Sequence, residues 1–469
     1  MSDTQKTIRE LIDKARAAQE QVASYNQAQV HDLCRSVAWQ VYNDANIDVC
    51  ARTACDETGM GAHADKVKKH KVKVLGVLND VLNANTVDLI EEDKQRKLRK
   101  YAKPVGVVGA LTPVTNPTAT PASNAVSILA GRNAVIFGPH PRARESARVA
   151  CDFMRAGLRK VGAPEDLVQH IAEPTLDLSQ ELMRQSDLVV ATGGAGVVKA
   201  AYSSGTPAYG VGAGNAIPIV AEDADVDDAA EKITLSKTFD HATSCSSENS
   251  VIIHESRYAE MVSRFRKLGG YVCSADEKRQ LEAWMWVPNK KGQLAINPRV
   301  VAVSAEKIAA DAGLEVPKGT TMLLVECDDP DTPTHWHGEK LSPVMALWRY
   351  GDFDQAVHCL NQLTHYAGLG HSCGIYTWKQ EYIDTLSIEM KTSRIMVRQP
   401  LAPANGGNFF NGMPSTTTLG CGTWGGNSTT ENIHWRHFVN VTWVSEPFDP
   451  ERPSDEEVWG EFWKRYGRD

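Results

Sequence analysis

Apolar residues recur at helical spacing from near the start of the chain: Ile8, Leu11, Ile12, Ala15, Ala18 and Val22, then Val30, Leu33, Val37 and Val41. The same period predicts helices over 49–58 and 62–83, the latter with a broad apolar face that includes Val74, Val77 and Val81. Between 86 and 103 polar and β-branched residues alternate, as in a hairpin arm. Strand, turn and helix units follow. Apolar runs at 105–111, 134–137, 167–172 and 188–191 are each closed by Gly, Pro or Asn, and helical patterns cover 121–129, 144–160 and 197–203. Such alternation predicts a parallel sheet covered by helices on both faces. The mixed pattern continues, with strands at 250–253, 322–325, 395–397 and 438–444 and helices at 260–268, 276–284 and 353–363. Residues 399–428 are rich in Pro, Gly, Asn, Ser and Thr, as in a long functional loop. A final helix at 455–466 carries Trp459 and Trp463 one turn apart.

With 469 residues the chain can hold two or three domains and a large core. A net charge of −8 gives no electrostatic case for nucleic acid or an anionic membrane. The one dense basic run, 66–73, reads as a solvated helix face or a subunit contact. Ten cysteines without a C-x-x-C pair, and an opening MSDTQKTIRE, predict a reduced, cytoplasmic setting. No stretch approaches the ~18 continuous apolar residues of a membrane span.

Chemistry concentrates around TFDHATSCSSENSVIIH, where Cys245 sits on a polar turn just before a strand. It reads as a nucleophile held by a rigid scaffold, or as a small apolar residue in a turn. TGGAG after the strand at 188–191, with Gly193, Gly194 and Gly196, leads into a helix, so free backbone N–H groups there suit a pyrophosphate. Asn116, where a strand ends, is a candidate oxyanion donor or a turn former before proline. Glu339 reads as a surface carboxylate or a ribose ligand. His365 and His371 bracket AGLG, and either could exchange a proton with a thiol. His335 and His337 have the spacing of paired metal ligands but lack third and fourth partners, so no metal is expected.

Together, TNPTATPASNAVSILAGRNAVIFGPHPRA, GVGAGNAIPIV, TFDHATSCSSENSVI, GLGHS and TLGCGTWGGNS resemble the aldehyde dehydrogenase superfamily, specifically its CoA-acylating branch, over residues 5–446. The resemblance implies an α/β fold with a Rossmann-type cofactor domain (1–86 and 104–220) and an α/β catalytic domain (221–428). It also implies a β oligomerisation arm (87–103 and 429–446), followed by a tail helix (447–469). Cys245 takes the nucleophile's place, Asn116 and the Cys245 N–H the oxyanion hole, and His371 the histidine that assists proton or thiol transfer. NAD or NADP is expected against Thr112, Pro113, Pro139, His140, Thr192, the three glycines, Gly212 and Glu339, with Arg142 and Arg144 as candidates for a 2′-phosphate. In hydrolytic members a glutamate of an E-L-G-G segment activates water. Here the segment reads GVGAGN, with Gly210 at that position, so a thiol, coenzyme A, is the expected acyl acceptor. Acetaldehyde-type acylating and hydrolytic aldehyde dehydrogenases are the alternatives.

Where close relatives read R-I-L-V-N, this chain reads SRIMVRQP, and Arg398 reads as a contact for an anionic aldehyde or as one half of a surface salt bridge. The C-terminal third resembles acylating sulfoacetaldehyde dehydrogenases, which implies sulfoacetaldehyde as the substrate. Aldehyde and CoA are the expected partners, in a homo-oligomer of two or four chains.

Overall fold

The computed structural model describes residues 2–449 and 451–468, so Met1, Pro450 and Asp469, the last two within the expected tail segment, lie outside the described residues. Four helices open the chain, Asp3–Val22, Gln27–Gln40, Asp44–Thr58 and His63–Leu82. The first two are separate because Asn26 starts a new helix: its side chain accepts the Gln29 N–H while the Gln29 side chain returns to the Asn26 N–H. Their apolar stripes pack into one core with a five-stranded sheet.

That sheet is parallel, in the order Val168–His170, Ala134–Pro139, Val107–Thr112, Leu188–Thr192 and Ala208–Val211. Every residue of its two central strands, Val107–Thr112 and Ala134–Pro139, is buried, as helices on both faces require. A second parallel sheet has seven strands, ordered Gly270–Val272, Met322–Cys327, Val344–Tyr350, Ser250–His254, Ile217–Val220, Cys373–Tyr376 and Ile395–Val397. Separate apolar clusters cover its two faces.

Ile217–Val220 pairs with Ser250–His254 and Cys373–Tyr376, so the first sheet ends at Val211 and not at the sequence-based boundary of 220. A link of a few residues, Gly212 to Ala216, joins the sheets. The hairpin Asp88–Asp93 and Leu98–Pro104 pairs with Val439–Ser445 in a separate antiparallel sheet, the expected arm. Among the described residues no helix is long and apolar enough to cross a membrane, and none of the ten cysteines is in a disulfide.

The turn before Cys373–Tyr376 depends on glycine. Gly368 and Gly370 sit at φ of 81° and 83°, and a Cβ on Gly370 would lie 2.0 Å from the Cys421 carbonyl oxygen. Both the left-handed backbone and the contact exclude a side chain. Gly370→Ala is expected to lower stability by roughly 3 kcal/mol, read as a fall in the denaturation midpoint at constant slope. An unchanged midpoint would show that this turn is free to move.

Candidate active site

A cavity of about 1180 Å³ opens between the two sheets. It exceeds the ~300–1,000 Å³ of a typical small-ligand pocket. One end lies where strands of the first sheet finish, the position at which parallel sheets bind ligands. Thr112 and Pro113, Pro139 and His140, Thr192 to Gly194 with Gly196, and Gly212 line it there. A Cβ added at Gly194, Gly196 or Gly212 would meet nothing within 4 Å, so bare backbone faces open space. Gly194 caps helix Ala195–Tyr202 without a side-chain acceptor, which leaves the first N–H groups free for an anion. This cradle fits the pyrophosphate of a dinucleotide.

Cys245 lines the same cavity, just after a strained turn. Asp240, His241 and Ala242 hold φ of 51°, 50° and 59°, three successive non-glycine residues in the left-handed region. The Asp240 side chain secures them. It is 0% exposed; Oδ1 accepts the Ala62 N–H at 2.8 Å, and Oδ2 accepts Lys69 Nζ at 2.5 Å, Lys66 Nζ at 3.3 Å and Thr243 Oγ1 at 2.8 Å. Burial pushes its pKa up, but the two ammonium groups and these hydrogen bonds outweigh burial and hold it below the usual carboxylate value.

Lys69 Nζ also donates to Asn116 Oδ1 at 2.6 Å. An ammonium has only donors, so this contact fixes the amide oxygen towards Lys69 and leaves the Asn116 NH₂ as a free donor on the cavity wall. Gly214 allows Cys245 to approach from the other side, since a Cβ there would lie 2.1 Å from the Cys245 carbonyl oxygen and 3.0 Å from His371 Nε2.

His371 is fully buried, with Nε2 3.3 Å from Cys245 Sγ and Nδ1 2.8 Å from Ser372 Oγ. Arg394 holds its backbone oxygen at 2.9 Å. Burial and the Arg394 charge push the imidazole down to about 3. Burial, with Glu339 and Cys421 adding to it, pushes the Cys245 thiol up to about 12. At neutral pH the pair is therefore a neutral thiol and a neutral imidazole. Glu339 lines the same cavity, accepts the Gly214 N–H at 3.2 Å, and is raised by burial to about 8.

The structure brings together Cys245, Asn116, His371, Glu339 and the glycine cradle, but it moves three expected residues away. Arg398 lies at φ 53° on another face, donating to the Thr377 carbonyl and stacked 3.9 Å from the Trp378 ring centroid. The left-handed turn after Ile395–Val397 aims it away from Cys245, into a groove with Asp228 and Lys232. Arg142 is exposed, donates to the Thr58 carbonyl at 3.1 Å and does not line the cavity. Arg144 pairs with Glu173. The support for a 2′-phosphate site from these two residues falls away. His365 bonds back to Asn361 on an exposed helix face, and His337 contacts Thr334 and the Pro330 carbonyl. The basic run 66–73 is a further correction: Lys66 is buried, and Lys68, Lys69 and Lys73 line the cavity.

Residues 1–276 match the model of the aldehyde dehydrogenase family. The chain belongs to that family. A protein named sulfoacetaldehyde dehydrogenase from an Acholeplasma species is 58% identical over 451 residues, covering 96% of this chain and 93% of its own. Another, named sulfoacetaldehyde dehydrogenase (acylating), from Bilophila wadsworthia, is 54% identical and covers 99% of this chain and 100% of its own. Among solved structures, an acetylating aldehyde dehydrogenase from Geobacillus thermoglucosidasius superposes with a TM-score of 0.90 at 31% identity, over 96% of this chain and 98% of that one. These relatives bear out the acylating branch, and the fold agrees with the expected Rossmann-type and catalytic sheets.

The raised thiol gives a direct test. Alkylation of Cys245 by iodoacetamide in the ligand-free protein, followed by peptide mass, is expected to be slow at pH 7 and to rise about tenfold per pH unit through pH 10, because only the thiolate reacts. A plateau near pH 8 would show an ionised thiol at rest.

Proposed function

We propose that the protein is a CoA-acylating aldehyde dehydrogenase that takes sulfoacetaldehyde, CoA and NAD(P)⁺ to sulfoacetyl-CoA and NAD(P)H, reversibly. The observation that carries this reading is Cys245, beside His371 and across the cavity from the glycine cradle, in a chain whose 54–58% identical relatives bear the sulfoacetaldehyde name.

In the forward direction Cys245 Sγ bonds to the aldehyde carbon as the thiol proton passes to His371 Nε2 and on to solvent, and the carbonyl π pair moves to oxygen. The Asn116 NH₂ and the Cys245 backbone N–H receive that oxyanion, and the Lys69 contact keeps the amide turned correctly without reorganisation. A bound nicotinamide supplies the hydride acceptor, and the Gly193–Gly196 turn, with Thr112, Pro139 and Glu339, would hold its phosphates and riboses. The carbon left on Sγ is a thioester. His371 Nε2, the nearest base, accepts the proton of the incoming CoA thiol as that sulfur attacks. Cys245 departs and the acyl group leaves on CoA. Glu339 is the one carboxylate among the cavity-lining residues; its Oε1 accepts the Gly214 N–H and burial raises it to about 8, so it is a poor activator of water at neutral pH.

Assembly follows the same family reading. The edge strand Val439–Ser445 leaves Val441 and Trp443 exposed beside unpaired backbone groups, the kind of edge that a second copy of the chain covers in a homo-oligomer.

Two outcomes test the chemistry. Cys245→Ala is expected to abolish nicotinamide reduction, and wild-type protein without CoA to release no more than about one equivalent of reduced nicotinamide per site before stalling. Continued turnover without CoA would instead identify water as the acceptor. Asn116→Ala is expected to lower kcat by about 10²–10³ with little change in KM, and a loss confined to KM would assign Asn116 to binding.

A further inference from the structure

With Arg398 outside the cavity, the acid group of the aldehyde needs another partner. The cavity is also walled by helix His63–Leu82 and by residues of the segment 402–419, which runs from the short helix Leu401–Asn405 into a loop. Lys66, Lys69 and Lys73 are spaced three and four residues apart, so they share one face of that helix. The first two are committed to Asp240. Lys73 differs: its Nζ donates to the carbonyl oxygens of Gly406 at 2.8 Å and Gly407 at 3.0 Å, and it pairs with no carboxylate among the described residues. An ammonium has three N–H donors, so one remains. Burial and the nearby Lys69 charge push Lys73 down to about 7, the shift of a cation that lacks an anion.

A second observation comes from the facing loop. Thr417 lines the same cavity, and its buried Oγ1 has no hydrogen-bond partner. Buried hydroxyls without partners are uncommon, and a turn about the Thr417 Cα–Cβ bond would carry this one to an acceptor bound in the cavity that the residue lines. A sulfonate presents three oxygens in a tetrahedral arrangement and accepts from an ammonium and a hydroxyl at once.

We propose that Lys73 and Thr417 form the subsite that reads the sulfonate of the aldehyde, with the carbonyl carbon at Cys245. This rests on the sulfoacetaldehyde reading above and assigns its specificity to the basic face of the second cavity wall. The Gly406 and Gly407 carbonyls anchor Lys73 so that its remaining N–H is preoriented, and the anion supplies the charge that the protein withholds.

The experiment is the ratio of kcat/KM for sulfoacetaldehyde to that for propionaldehyde, in wild type, Lys73→Met, Thr417→Val and Arg398→Ala. Wild type is expected to favour sulfoacetaldehyde. Lys73→Met should reduce the ratio about 100-fold, chiefly through KM for the sulfonate, and Thr417→Val about fivefold, as loss of a charged and of a neutral hydrogen bond predict. Arg398→Ala should leave the ratio within twofold. A wild type with no preference refutes the substrate reading. A wild type that prefers sulfoacetaldehyde while Lys73→Met keeps that preference refutes the subsite alone. If Lys73→Met does not fold, Thr417→Val decides by the same ratio, and a value equal to wild type overturns the proposal.

Discussion

One buried carboxylate, Asp240, sets the geometry on which the active site depends. It is surrounded by two ammonium groups, a hydroxyl and a backbone N–H, and it fixes a backbone that three successive left-handed residues would otherwise relax. Each such residue costs on the order of 1–3 kcal/mol, which the surrounding structure must offset. The strain is stored immediately upstream of Cys245. Two cations against one anion also leave an excess of positive charge, and Lys69 directs part of it to the Asn116 amide oxygen. The same pair of contacts therefore places the nucleophile and orients the oxyanion donor. A buried ion pair is weak evidence for stability in general; here its geometric consequence is specific.

The site that results is buried, and at rest its thiol and imidazole are neutral. Burial raises the Cys245 thiol and Glu339 and lowers His371 and Lys73, each towards its uncharged form. In a medium of low dielectric a charge brought in by a ligand acts strongly. The oxidised nicotinamide ring carries a fixed positive charge, the sign that lowers a nearby thiol's pKa. A nucleophile that ionises only once its partners are bound does not react prematurely.

Much of this could be read in the sequence, because the strand and turn punctuation is local. The closures after 107–112, 134–139 and 188–192 fall where the Gly, Pro and Asn residues stand, and the motifs around Cys245, Asn116 and His371 meet in space as the family resemblance implies. Short strands such as Gly270–Val272 and Cys373–Tyr376 carry too few residues for a period and were fixed by pairing with distant partners. The domain boundary moved because Ile217–Val220 is assigned by its hydrogen bonds to residues more than thirty positions away. Arg398 misled because its left-handed φ, invisible in SRIMVRQP, reverses its direction. The lysine face was missed by counting charge and not phase: spacings of three and four in 66, 69 and 73 already place those residues together, beside apolar neighbours that mark the buried side.

Helix Ala195–Tyr202 is held at its far end by packing against the first sheet. Gly210, which the family resemblance sets at the water-activating position of hydrolytic members, lies under Tyr202. A Cβ there would stand 2.8 Å from Tyr202 Cε2 and 2.8 Å from Val198 Cγ1. The Tyr202 hydroxyl accepts the Gly210 N–H at 2.9 Å and the Ser428 N–H at 2.9 Å, so the ring is tied to both the first sheet and the loop at Ser428. A glutamate at Gly210 would displace that ring before its carboxylate could be placed. Helix Ala195–Tyr202 thus presents its N-terminal N–H groups to the cavity while its last residue ties the edge of the first sheet to the loop at Ser428.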